Sequence, residues 1–134
     1  MAINPTSMEP GVITKLSPLP VAATVSRLQE LIKAKGLKLF AVIDQRAEAR
    51  SAGLDMPDTT LVIFGSPAAG TPVMVAAPLS ALDLPLKVLI WADEGQVKVS
   101  YYAPGELGRR HGLSQDLVEK LAGIGPLTDA LIAG

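Results

Sequence analysis

An antiparallel hairpin in the C-terminal half constrains the fold of this chain more than any other feature. Residues 84–93 (LPLKVLIWAD) and 96–102 (QVKVSYY) are apolar runs separated by a short turn that ends in Gly95. Two such runs joined by a tight glycine turn are typical of neighbouring antiparallel strands. In the second run Val97, Val99 and Tyr101 alternate with more polar residues, which predicts one buried face and one face that meets water or a partner.

The rest of the chain predicts further strands and one long helix. Strands are predicted over residues 11–17, 37–44 and 59–64. Val21, Val25, Leu28 and Ile32 recur at helical spacing and predict an amphipathic helix over residues 20–35, which Gly36 ends. Four short helices are predicted, which begin directly after Asp44, Thr71, Ala103 and Ser114. An apolar turn is predicted at 127–132.

This order of elements favours an α+β fold. A hairpin and few long crossover helices argue against a doubly wound parallel sheet. We therefore expect a curved, mainly antiparallel sheet with helices packed on one face. At 134 residues the chain is predicted to be a single domain over 10–134, preceded by a flexible N-terminal tail at 1–9.

Composition excludes several function classes. The net charge of −1 and the scarcity of aromatic residues argue against nucleic acid as a partner. The absence of cysteine and the single histidine exclude disulfides, thiolate nucleophiles and zinc fingers, so no metal and no cofactor is predicted. No signal-peptide pattern or long apolar run is present, which predicts a cytoplasmic protein without a membrane partner. The surplus of aliphatic residues predicts a homodimer.

The segment IFGSPAAGTP at 63–72 is the first candidate site. Gly65 and Gly70 have the spacing of a phosphate-binding loop, but Thr71 and Pro72 stand where that loop needs lysine and a hydroxyl residue, so ATP hydrolysis is excluded. Two interpretations stay open. Either Thr71 caps a helix that starts at Pro72, or the backbone N–H groups around Ser66 bind a small anion or carboxylate.

Two acidic residues, Asp44 and Asp83, are candidates for acid–base chemistry. Asp44 follows a buried strand, where it is either a helix N-cap or a general base. Asp83 precedes Leu84 and Pro85 and is either a turn residue or the second acid of a pair. Gln45, next to Asp44, is a candidate hydrogen-bonding residue.

The sequence GRRHG at 108–112 is the only concentrated positive cluster. Arg109, Arg110 and His111 occupy the predicted last turn of a short helix, where cations complement the helix dipole. The alternative is a site for an anionic ligand. Tyr102 lies on the exposed face of its strand, where it is predicted to line a pocket or contact a partner.

The chain resembles a bacterial family known as domain of unknown function 302. The segments that carry the resemblance are spread over roughly residues 11–122: LKLFAVID, TTLVIFGSPAAGTPVMVAAP, LDLPLKVLIW and VSYYAPGELGRRHGL. The resemblance implies a TATA-binding-protein-like α+β fold that is usually dimeric, and it implies no catalytic residue. Members of that family usually have His at the position of Gln45 and Asn at that of Ser66.

Three functional hypotheses remain at this stage. The first is a dimeric domain that binds a protein partner or a small, anionic ligand without catalysis, with the ligand between the sheet and the 65–71 loop. The second is an enzyme that uses Asp44 and Asp83 as acid and base, with His111 assisting. The third is a structural dimerisation module whose apolar sheet face is the interface.

Overall fold

Five antiparallel strands form a single sheet in the order β1-β5-β4-β3-β2. The computed structural model describes residues 10–133, so the predicted tail at 1–9 lies outside the described residues. The strands are β1 (Val12–Ser17), β2 (Lys38–Asp44), β3 (Thr59–Gly65), β4 (Leu86–Asp93) and β5 (Gln96–Tyr102). The prediction of an α+β fold with a mainly antiparallel sheet is confirmed.

Within residues 10–133, six α-helices accompany the sheet. They are α1 (Val21–Ala34), α2 (Gln45–Ser51), α3 (Pro67–Ala76), α4 (Pro104–His111), α5 (Gln115–Glu119) and α6 (Ile124–Ile132). A short 3-10 helix, Pro78–Leu82, connects α3 to β4. The main helix, α1, has the bounds that its apolar spacing predicts, because Val25, Leu28 and Ile32 form the stripe that it buries.

The main core lies between one face of the sheet and helices α1 and α6. Val62 and Phe64 of β3 and Ile90 of β4 are almost fully buried there. Leu28 packs on them from α1, and Leu131 packs on them from α6. Burying each of these side chains stabilises the fold by about 1.5–3 kcal/mol.

A second, smaller core holds the short helices together. Val73 of α3, Leu107 of α4 and Leu121, just after α5, are buried against one another. Leu86, at the start of β4, packs against both cores. The positions of α3 and α5 are therefore coupled to the end of the sheet where β4 begins.

Two helices differ from the sequence-based prediction. Helix α3 begins at Pro67 rather than Pro72, and its N-cap is Ser66, whose Oγ accepts a hydrogen bond from the Ala69 N–H at 3.3 Å. The prediction that Thr71 is the N-cap is wrong, because Ser66-Pro67 supplies the same hydroxyl–proline start one turn earlier.

The C-terminal segment is also more regular than predicted. Instead of an apolar turn at 127–132, the chain forms helix α6 from Ile124. Gly125 and Pro126 lie in the first helical turn, where a backbone N–H needs no intrahelical partner and proline is tolerated. Gly125 and Pro126, which from the sequence alone indicate a break between helices, therefore lie at the beginning of a helix.

The other face of the sheet carries no helix of the two cores. Leu61 of β3 and Leu89 of β4 are register partners, and Thr59 pairs with Trp91 in the same ladder. The side chains of Leu61, Ile63, Leu89 and Trp91 alternate with the core residues of β3 and β4, so they lie on this opposite face. Each is half-buried.

Candidate functional site

A cleft of about 630 Å³ opens at one end of the sheet, beside the 65–71 segment. Its walls come from distant parts of the chain: the end of α1, the start of β2, the end of β3, the N-terminal half of α3, the segment before β4, and the junction between α5 and α6. This volume lies in the range of pockets that take small-molecule ligands.

Apolar side chains form the floor of the cleft. Phe64, Leu121, Ile124 and Leu127 are each at most 3% exposed and belong to the two cores. The cleft therefore ends on rigid, well-packed structure. A ligand that enters it gains affinity chiefly by covering the partly exposed apolar side chains of the lining, such as Leu37, Phe40 and Leu84.

The rim of the cleft is positively charged. Lys35, Lys38 and Lys120 line it and are exposed to solvent. Among the residues that the structure describes, none of the three forms an ion pair, and Lys38 Nζ lies 5.0 Å from the centre of the Phe40 ring. The described lining contains no acidic residue and no histidine.

Small residues at the end of β3 and in α3 keep the cleft open on one side. Gly65, Ala69 and Gly70 all line it. A Cβ atom added at Gly70 would meet nothing closer than the terminal methyl group of Met74, at 3.9 Å. The glycines that suggested a phosphate loop therefore leave space for a ligand next to the N-terminus of α3.

A separate cluster of charges surrounds Asp83. Its carboxylate accepts hydrogen bonds from Arg110 Nη1 at 3.0 and 3.1 Å, and His111 Nε2 lies 2.6 Å from Asp83 Oδ2. Glu106 accepts hydrogen bonds from Arg109 and from Arg110. The Arg110 guanidinium lies 4.7 Å from the centre of the Tyr102 ring. The positive charges of the GRRHG segment are thus paired within the protein.

The electrostatics of Asp83 follow from this pairing. Partial burial alone would raise the pKa of its carboxyl group, but the hydrogen bonds and charges of His111 and Arg110 outweigh burial and lower the pKa below its usual value. The pKa of Glu106 is lowered as well, mainly by the hydrogen bond from Arg109. Both carboxylates are consequently ionised near neutral pH, and both are engaged in hydrogen bonds within the protein.

Asp44 and Gln45 lie at the other end of the sheet. Asp44 is the register partner of Thr60, which in turn is the register partner of Ile90 in the second half of β4. Asp83, in contrast, lies before β4 begins at Leu86. Asp44 caps α2 by accepting a hydrogen bond from the Ala47 N–H at 2.9 Å. The structure therefore does not bring Asp44 and Asp83 into one cleft.

The predicted site residues separate into three groups. Gly65, Ser66, Gly70 and Thr71 form one wall of the cleft. Asp83, Tyr102, Arg109, Arg110 and His111 form the charged cluster, and Asp44 and Gln45 stand apart. Over residues 10–133, no three acidic or histidine side chains are grouped as metal ligands.

Sequence reasoning missed most of the cleft. The cleft is also lined by five residues that were not predicted as site residues: Lys35, Lys38, Phe40, Met74 and Lys120. The prediction that the strand at 37–44 is buried is wrong, because β2 lies at the edge of the sheet, and Phe40 is 45% exposed there.

Three relatives of this chain are about twice as long as the chain itself. These relatives are each 37% identical over 126 residues, which is 90% of this chain: the fluoride-specific ion channels FluC 1 of Brucella suis and of Brucella abortus, and FluC 2 of Brucella melitensis. The chain spans 47–50% of the length of these relatives. Across residues 10–133, no helix has the length and apolar character needed to cross a membrane.

The fold has a counterpart among solved structures. The crystal structure of a conserved DUF302 protein from Bacillus stearothermophilus superposes with a TM-score of 0.78 and covers 93% of this chain and 98% of that chain. The two sequences are 20% identical, so the likeness concerns the fold. In sequence, residues 13–127 match the family described as "Domain of unknown function DUF302". The chain belongs to the DUF302 family.

Proposed function

We propose that this domain binds a small, largely apolar ligand in the cleft beside α3 and catalyses no reaction on it. The observation that carries the proposal is the combination of a 630 Å³ opening with a floor of core side chains. A ligand there meets lysines, hydroxyl groups and apolar surface. The described lining offers it no carboxylate or imidazole for general acid–base catalysis.

The charged cluster supports the same conclusion by exclusion. An acid–base enzyme of the kind considered from the sequence needs Asp44 and Asp83 close together, and they lie at opposite ends of the sheet. The Asp83 carboxylate is hydrogen-bonded to Arg110 and His111, and we interpret these contacts as stabilising the fold. Binding without chemistry is therefore the function that the geometry supports best.

Fluoride conduction is not part of this proposal. The relatives named as fluoride channels match this chain over only half of their length. A channel needs membrane-spanning segments, and no described helix of this chain qualifies. We assign to this chain a binding role that a longer relative would carry in addition to its own activity.

Nile red, a neutral apolar fluorophore, tests the proposal. It should bind the wild-type protein and lose most of its binding to Gly70→Phe, because a side chain at this position enters the cleft past Met74. Gly105→Phe is the matched control: Gly105 is also helical, nothing lies within 4 Å of its Cβ position, and it does not line the cleft. Equal binding by all three proteins would contradict the proposal.

We also propose that two copies associate through the uncovered sheet face. Leu61, Ile63, Leu89 and Trp91 are half-buried apolar residues on that face, next to Lys87, Lys98 and Ser100, and apolar residues grouped at a surface mark interaction sites in soluble proteins. Light scattering coupled to size exclusion should give a dimer for the wild type and a monomer for Leu89→Glu. Val75→Glu, at an exposed site on α3, is the control and should stay dimeric. A monomeric wild-type protein would contradict this second proposal.

A further inference from the structure

The cleft combines three features that together specify a class of ligand. Its floor is aliphatic, with Phe64 as the one buried aromatic side chain. Its rim carries Lys35, Lys38 and Lys120, whose charges are not neutralised by any described acidic side chain. Its remaining described lining contributes no negative side chain. These surfaces complement a ligand that has an apolar body and an anionic end.

The position of α3 adds to the positive potential. This ten-residue helix begins at the cleft, with Ser66 as its cap, so the positive end of its dipole faces the same space as the three ammonium groups. The other concentrated positive cluster of the protein is different in this respect. Arg109 and Arg110 are paired with Glu106 and Asp83, whereas the lysines of the rim form no ion pair with any described acidic side chain.

We infer that the cleft binds a single-chain amphiphile with an anionic head group, of the type of a medium-chain fatty carboxylate. This inference rests on the proposed function, since it names the ligand class of the same cleft. The aliphatic chain packs against the partly exposed apolar residues of the lining, such as Leu37, Phe40 and Leu84, and the carboxylate stays at the rim beside the lysines. The cleft is open on one side, so the head group remains partly hydrated.

Two quantities follow from this arrangement. Each methylene group that is transferred from water to the apolar floor should tighten binding about fourfold. Each lysine of the rim forms a solvent-exposed pair with the head group, so removing one should weaken binding about two- to fivefold. The electrostatic part should decline as sodium chloride is added.

The experiment compares three ligands with the same ten-carbon chain and different head groups. Decanoate, decanol and decyltrimethylammonium are titrated below their micellar concentrations, each by displacement of Nile red from the full chain. The expected order of affinity is decanoate, then decanol, then decyltrimethylammonium. Octanoate and dodecanoate complete the series and should bind more weakly and more tightly than decanoate.

Lysine variants locate the head group. We expect three variants to weaken the binding of decanoate and to leave the binding of decanol unchanged: Lys35→Gln, Lys38→Gln and Lys120→Gln. Lys33→Gln is the control, because Lys33 is exposed in the last turn of α1, two residues before Lys35, but does not line the cleft. If decanol binds as tightly as decanoate, or if the Lys33 variant loses as much affinity as the others, the anionic ligand class is wrong.

The outcomes separate this inference from the proposed function. If decanol and Nile red bind wild type but not Gly70→Phe, and decanoate has no advantage, the cleft binds a neutral ligand and only the present inference fails. If no probe distinguishes Gly70→Phe from Gly105→Phe, both fail. Binding that appears only with phosphatidylglycerol vesicles, and not with free decanoate, would assign the cleft to a membrane surface and overturn the inference.

Discussion

Adding a methyl group to Gly108 should destabilise the protein, whereas the same change at Gly105, in the same helix, should not. Gly108 is buried where α4 packs against α5, and a Cβ atom there would stand 2.5 Å from Val118 Cγ2. Nothing lies within 4 Å of the corresponding position at Gly105. The two substitutions therefore share their effect on helix propensity and differ in packing.

The magnitude follows from the distance. Ordinary van der Waals contact begins near 3.4 Å, so α5 or the Val118 side chain must move by about 1 Å, and overpacking of this kind costs about 1–3 kcal/mol. The gain in helix propensity offsets about 0.5–1 kcal/mol. Gly108→Ala should therefore lower the free energy of unfolding by about 1–2 kcal/mol. Gly105→Ala should raise it by about 0.5 kcal/mol.

Urea denaturation followed by circular dichroism measures both effects, and a double-mutant cycle with Val118→Ala assigns the cause. Removing the Val118 methyl groups should restore most of the stability that Gly108→Ala loses, which gives a coupling of about 1 kcal/mol. Helix α5 leads into Lys120 and Leu121 of the cleft, so Gly108→Ala should also weaken Nile red binding. Equal stability of the Gly108 and Gly105 variants, or zero coupling, would refute the close packing of α4 on α5.

Other consequences of the structure can be measured in the same way. Asp83→Asn should destabilise the protein at pH 7, and the difference from wild type should shrink as the pH falls below about 4, because a lowered carboxyl pKa stabilises the fold only while the group is ionised; a pH-independent difference in urea titrations would contradict this. Ser80→Ala should leave the free energy of unfolding unchanged or raise it by up to about 1 kcal/mol, since Ser80 Oγ is buried without a hydrogen-bond partner among the described residues, and a clear loss of stability would contradict this. Asp44→Ala should lower thermal stability by an amount equivalent to about 1 kcal/mol, because it removes the N-cap of α2, and Asp44→Ser should restore most of it.

The sheet could be predicted from the sequence because its signals are local. The hairpin of β4 and β5 is contained in seventeen consecutive residues, and its glycine turn fixes the antiparallel direction. The apolar spacing of α1 is likewise a property of one short segment. Patterns of this kind are decided by neighbours in the chain, so the bounds of these elements agree with the prediction within a few residues.

The two incorrect helix predictions arose where one local pattern fits more than one structure. Ser66-Pro67 and Thr71-Pro72 are equivalent as capping pairs, and only packing of Val73 into the second core decides between them. Pro126 indicates the end of a helix as readily as the first turn of one. Burial of Leu127 and Leu131 against the sheet selects the helix, and that information lies far away in the sequence.

The pairing of the charged cluster could not be predicted for a related reason. Arg110 and His111 lie 27 and 28 residues from Asp83, and the sequence between them contains both strands of the hairpin. A run of two arginines and a histidine is compatible with an anionic ligand until the carboxylates that neutralise it are known. Folding supplies Asp83 and Glu106, and the cluster becomes an internal network.

The cleft shows how a glycine-rich turn acquires its role from the surface opposite to it. A strand that enters a helix through small residues predicts a phosphate cradle when a lysine and a metal-binding hydroxyl follow, and here neither does. The rest of the lining includes the partly exposed residues Leu37, Phe40 and Leu84, which offer a ligand apolar contact. The small side chains at Gly65, Ala69 and Gly70 then serve to leave room, so larger residues at these positions should close the site without removing a hydrogen bond from it.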